Sequence, residues 1–129
     1  MTDPAPSPFA CVLDIGASLG ESPVWSVAEQ VLYFVDINAP AINRFDPATG
    51  RNTVMPMPSS IGCMALRQRG GFIVALRDGI WLVDAAGTPT RKVAAAPYDT
   101  ATHRFNDGRC DLQGRFFAGS RSEERRVGK

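Results

Sequence analysis

At 129 residues, 44% of them hydrophobic and 21% charged, the chain has the composition of one soluble globular domain with a modest core. Its net charge of +1 argues against a nucleic-acid binder, and no apolar run approaches the roughly 20 residues of a membrane span. Three widely separated cysteines (Cys11, Cys63 and Cys110) and a single His103 leave no zinc-ligand spacing, no disulfide framework and no Ser-His-Asp pattern.

Residues 1–11 form a Pro-rich N-terminus that is expected to be disordered. Its first residues, Met1-Thr2-Asp3-Pro4, show neither the basic start nor the apolar stretch of a secretory signal, so a cytoplasmic location is the expectation. The apolar set at residues 9–15 reads as a strand leading into the fold, followed by a loop at 16–20. In Ser22-Pro23-Val24-Trp25, Pro23 is expected to open a strand, because proline cannot sit in the middle of one. Residues 31–37 are a nearly continuous β-branched and aromatic run, suited to a strand covered on both faces. Residues 41–46 roughly alternate, Asp46-Pro47-Ala48-Thr49-Gly50 is a turn, and residues 53–57 read as a Pro-marked edge strand.

The pattern then begins again. Residues 61–66 are apolar, Arg69-Gly70-Gly71 is a tight turn, and residues 72–76 form a second buried run. Asp78-Gly79 is a hairpin signal before residues 80–84, Ala85-Ala86-Gly87 turns, and residues 91–94 read as another edge. After a mostly polar loop at 97–103, a third round opens at Asn106-Asp107-Gly108, turns at Gln113-Gly114 and enters residues 115–119. Aligning Tyr33, Phe72 and Phe116 gives intervals of about 40 residues, the period of propeller blades. A generic meander of hairpins is the alternative. No stretch has a helical period of apolar residues.

The stretch Arg104-Phe105-Asn106-Asp107-Gly108 places a cation, an amide and a carboxylate together at the mouth of an apolar strand. Such a set suits a small oxygen-rich ligand; the plainer reading is a polar turn, since Asn-Asp-Gly is turn chemistry. Residues 121–129 are mostly charged and stop the third round after two candidate strands. They also resemble the in-frame translation of a common sequencing-library adapter. The expectation is a fragment whose tail stands outside the fold, because a closed propeller of typically 4–8 blades needs more chain.

Gly20-Glu21-Ser22-Pro23-Val24-Trp25, Tyr33-Phe34-Val35-Asp36-Ile37, Ile42-Asn43-Arg44-Phe45-Asp46, Arg104-Phe105-Asn106-Asp107-Gly108 and the run from Asp111 to Ser120 together resemble the gluconolactonase/regucalcin (senescence marker protein) family. The resemblance implies an all-β fold, a six-bladed β-propeller of which residues 12–120 supply about the first two to three blades. It implies a metal-dependent lactonase acting on a sugar lactone or similar cyclic ester, with this fragment inactive by itself. It places Glu21 as a metal ligand, Arg104 and Asn106 as substrate contacts, and Glu124 at a further substrate-contacting glutamate. The family's general base lies beyond this chain. One oxygen ligand suits Ca²⁺ first and leaves Zn²⁺, Mn²⁺ or Mg²⁺ open. Two alternatives stand beside it: a non-catalytic propeller used as a binding platform, and another metal-dependent ester hydrolase of the same fold.

Overall fold

The turns show first how the sequence dictates the chain path. Asp46, Asp84 and Asp111 each turn a side-chain oxygen back onto the amide two residues on, at 2.9–3.0 Å. Each is followed by a glycine with positive φ: Gly50 at 73°, Gly87 at 92° and Gly114 at 81°. Aspartate mimics the first backbone turn, and glycine supplies the left-handed residue that ends it. In this computed structural model, which describes residues 5–123, these hairpins fold the chain into three sheets.

The first sheet is β1 (Gly20–Ser26), β2 (Val31–Asp36), β3 (Ala41–Asp46) and β4 (Arg51–Pro56). The second is β5 (Ile61–Leu66), β6 (Phe72–Leu76), β7 (Gly79–Val83) and β8 (Pro89–Ala95). The third holds β9 (His103–Cys110) and β10 (Phe116–Ser122). Every pair is antiparallel and sequential. The leading strands touch one another, β5 against both β1 and β9, and β1 against β9, so each sheet is a propeller blade with its first strand innermost. No helix among the described residues is long and apolar enough to cross a membrane.

The core lies between blades rather than within them. Val31, Tyr33, Val35, Ile37, Ile42 and Met55 of the first blade form one cluster with Ile61, Met64, Phe72, Val74 and Leu76 of the second. Tyr33 meets Phe72 edge to face across that boundary, centroids 5.0 Å apart. A smaller cluster of Cys63, Ala75 and Phe105 joins the second blade to the third. Trp25 and Phe117, by contrast, are 46% and 58% exposed and stand outside this core.

Several expectations are corrected. Residues 9–15 form no strand; Phe9 and Val12 are exposed and find no partner strand. Pro23 sits inside β1 and not at its start. It can do so because β1 carries an extra residue between Glu21 and Val24, against only Val35 to Tyr33 on β2. A bulge frees proline from the ladder bond it cannot make. The same bulge recurs at Ile61 to Met64 and at Phe105 to Gly108. Register therefore equates Val31, not Tyr33, with Phe72 and Phe116, opposite Ser26, Leu66 and Cys110. Residues two apart share a strand face, which is why the aromatic alignment slipped by two. Asn106-Asp107-Gly108 is the bulged interior of β9 and not a turn.

Two features hold the inner strands in place. Gly62 has no room for a side chain: a Cβ there would lie 2.6 Å from the Asn106 carbonyl oxygen. Asp36 is buried and accepts from the amides of Ser18, Leu19 and Ala39 at 2.8, 3.0 and 3.1 Å, tying the approach to β1 onto the β2–β3 turn. Burial alone would raise its carboxyl; the backbone amides outweigh that and hold it below the usual carboxylate range.

Gly62→Ala is expected to destabilise the chain by about 1–3 kcal/mol in urea denaturation, since backbone and not a flexible side chain must give way. The Asp36 contribution has a definite sign. A depressed folded value means stability that is present above the unfolded carboxylate range near ~3.9 and lost as pH falls through the folded value. The stability gap between the wild type and Asp36→Asn should therefore close on acidification below that range; a gap that stays constant with pH contradicts this account.

Candidate functional site

The bulge is what builds the site. An extra residue in each innermost strand breaks strict alternation and re-aims the side chains beside it. In β1 the bulged pair is Ser22-Pro23, in β5 Gly62-Cys63 and in β9 Asn106-Asp107. Ser22 takes φ 54°, uncommon for a residue with a side chain, and its Oγ accepts from the Met64 amide at 3.3 Å. The strained residue thereby links the first blade to the second.

Glu21 precedes this bulge. It is half-buried and lines a cleft of about 430 Å³ between the inner strands, with Ser22, Met64 and Asp107 among its neighbours. Among the described residues, none donates a hydrogen bond or ion pair to its carboxylate. A free carboxylate in a partly closed cleft is suited to a hard cation. It is one ligand: no group of three or more His, Cys, Asp or Glu gathers to hold a metal among the described residues. Asp107 spends one oxygen on the Gly108 amide at 2.9 Å, a local cap.

Arg104 and Asn106 come together on β9. The guanidinium is 6% exposed, and its Nη1 donates to the Phe105 carbonyl at 2.9 Å and to Asn106 Oδ1 at 3.2 Å. Arginine only donates, so the amide must present its oxygen to Arg104 and keep its Nδ2 as a free donor. Arg104 Nε meets Glu123 Oε1 at 3.0 Å. Glu124 lies outside the described residues; the carboxylate that reaches Arg104 is one position earlier. The other oxygen of Glu123 takes Arg77 Nη1 at 2.9 Å. Neither Arg77 nor Glu123 was singled out from sequence.

Burial works against thiolate formation at the two cysteines near the cleft. Burial pushes the Cys63 thiol up to about 12, with the Asp107 charge adding to it. Cys110 is half-buried at the cleft wall; burial and the Asp111 charge raise its thiol as well. His103 begins β9, and its Nδ1 lies 2.7 Å from the Thr102 hydroxyl.

The SMP-30/Gluconolactonase/LRE-like region model matches residues 19–129. The chain is 50% identical over 110 residues to a 6-deoxy-6-sulfogluconolactonase of Pseudomonas putida, covering 85% of this chain and 38% of that one. It is 36% identical over 114 residues to the regucalcin of Xenopus laevis, covering 88% and 38%. Among solved structures, a calcium-binding regucalcin of Agrobacterium tumefaciens aligns with TM-score 0.75 at 28% identity, over 81% of this chain and 36% of that one. A luciferin-regenerating enzyme aligns with TM-score 0.74 at 24% identity, over 85% and 38%. The chain spans 38% of the length of these curated relatives. With the family match running through Glu21, Arg104 and Asn106, and the blades aligning on solved relatives, the chain belongs to the SMP-30/gluconolactonase/LRE-like family.

Proposed function

We propose that these blades are part of a metal-dependent lactonase that hydrolyses a sugar lactone or a similar cyclic ester. The observation that carries the proposal is the unspent Glu21 carboxylate in the cleft, on an inner strand that touches the strand bearing Arg104 and Asn106. The name of the Pseudomonas putida relative supports lactone chemistry, and the calcium-binding relative supports Ca²⁺ ahead of Zn²⁺, Mn²⁺ or Mg²⁺.

Each residue is given one task. Glu21 contributes a hard oxygen ligand. When bound, a divalent cation supplies Lewis-acid polarisation of an ester carbonyl. Arg104 holds the Asn106 amide in one orientation, and Asn106 Nδ2 donates to a ring or hydroxyl oxygen of the substrate. The buried Phe105 and Met64 and the half-buried Val24 side chains around the inner strands keep the surroundings apolar, which strengthens those polar contacts. The base that activates water is not assigned to any described residue, and the present blades alone are proposed to be inactive, because Glu21 is a single ligand.

In the full-length protein, Glu21→Gln is expected to weaken metal affinity by about 100-fold, read by equilibrium dialysis, and to abolish lactone turnover. Asn106→Ala should lower kcat/KM by about tenfold, the loss of one hydrogen bond. Retained metal binding and turnover in Glu21→Gln would favour the non-catalytic platform. Turnover of an organophosphate ester but not of a lactone would move the assignment to the other hydrolase of this fold.

A further inference from the structure

Among the described residues, two other than glycine take a positive φ, Ser22 at 54° and Gln30 at 57°. Gln30 closes the turn between β1 and β2, where its amide donates to the Ser26 carbonyl at 2.7 Å, and such a φ is ordinary in a turn. Ser22 stands inside a strand. The bulge does not by itself demand this: the matching bulges of β5 and β9 contain no residue of positive φ. A left-handed residue with a Cβ costs energy, and of the three inner strands that cost falls on the one that carries Glu21.

The Glu21 carboxylate has no other guide. It takes no hydrogen bond or ion pair among the described residues, so no donor holds its direction. What remains is the backbone that bears it. Glu21 is the last residue in register with β2, opposite Val35, before the bulge begins. Ser22 then turns the chain, and its Oγ accepts from the Met64 amide of the neighbouring blade at 3.3 Å. Pro23 follows with a fixed φ and restricts the conformations open to the residue before it. Met64 is buried and lines the same cleft as Glu21, so the tie that joins the two blades sits where the carboxylate is presented. None of these residues lies in the charged tail at 121–129.

We propose that Ser22 is a positioning residue: its left-handed backbone, latched through Oγ to the Met64 amide, aims the Glu21 carboxylate into the cleft for a divalent cation. This rests on the reading of Glu21 as a metal ligand and adds to it the residue that holds that ligand in place. Backbone strain takes the part that a hydrogen-bond donor usually plays for a ligating carboxylate. Some stability is given up for geometry, so mutation can separate the two.

The test uses the full-length protein and Ca²⁺ alone, with affinity read by equilibrium dialysis and the thermal midpoint read without metal. Ser22→Gly removes the strain and the latch together, and strain relief offsets the lost hydrogen bond and the added freedom of the unfolded chain. Its metal-free midpoint should lie within about 2 °C of the wild type or above it, while its Ca²⁺ affinity falls by about tenfold or more, as happens when a group that orients a ligand is lost. Ser22→Asn tolerates a positive φ and keeps an acceptor for the Met64 amide, so it should hold Ca²⁺ within about threefold of the wild type. Affinity unchanged within about twofold in Ser22→Gly, with Glu21→Gln impaired, would overturn the positioning role and leave Glu21 standing as a ligand. A Ser22→Gly loss of affinity that comes with an equally clear drop in the metal-free midpoint, and that Ser22→Asn does not restore, would make Ser22 structural only. Should Glu21→Gln bind Ca²⁺ as tightly as the wild type, the metal-ligand reading fails and the positioning role falls with it.

Discussion

A blade cannot bury itself. A four-stranded antiparallel sheet has two faces, and here the apolar residues of each find cover only on the next blade. Tyr33 meets Phe72, Ile42 and Ile61 are both fully buried, and Met64 reaches the cluster that Val35 belongs to. Burying such a side chain contributes about 1.5–3 kcal/mol, so the inter-blade boundary, not the hairpin, is the unit of stability. The third sheet follows the same logic: Phe105 is buried because the second blade supplies Cys63 and Ala75 beneath it.

This constraint also explains where chemistry can be placed. Residues on the blade faces are committed to packing, and those on the inner strands face one another across the cleft. The bulge gives each inner strand a residue released from alternation, and the three blades use it differently. In β1 it stores a strained Ser22 that ties down the neighbouring strand. In β5 it places Gly62 so closely beneath β9 that no side chain fits. In β9 it carries Asn106, oriented by Arg104. The first two uses are structural, and they fix the strand that bears the third.

The fold was legible in the sequence because its signals are local. Gly-marked turns and β-branched runs each follow from one stretch of chain, and their recurrence near every 40 residues follows from the order of those stretches. The bulges were not legible, since a bulge is a relation between two strands and Pro23 alone reads as a strand opener. The aromatic at Tyr33 drew the repeat alignment two residues off, for it packs where a valine stands by register. At the candidate site, Glu21, Arg104 and Asn106 were singled out through the family resemblance of their motifs. Arg77 was not, because its relevance depends on two blades presenting their turns at one end of the molecule.

The burial of Arg104 sets what that residue can do. A guanidinium 6% exposed must have its donors met within the protein, since an unpaired buried cation costs several kcal/mol. Nη1 is met by Phe105 and Asn106, and Nε by Glu123. Only Nη2 has no acceptor among the described residues. Nη2 is therefore the donor Arg104 keeps for a ligand. The clearest effect of Arg104 in the structure is to orient the Asn106 amide.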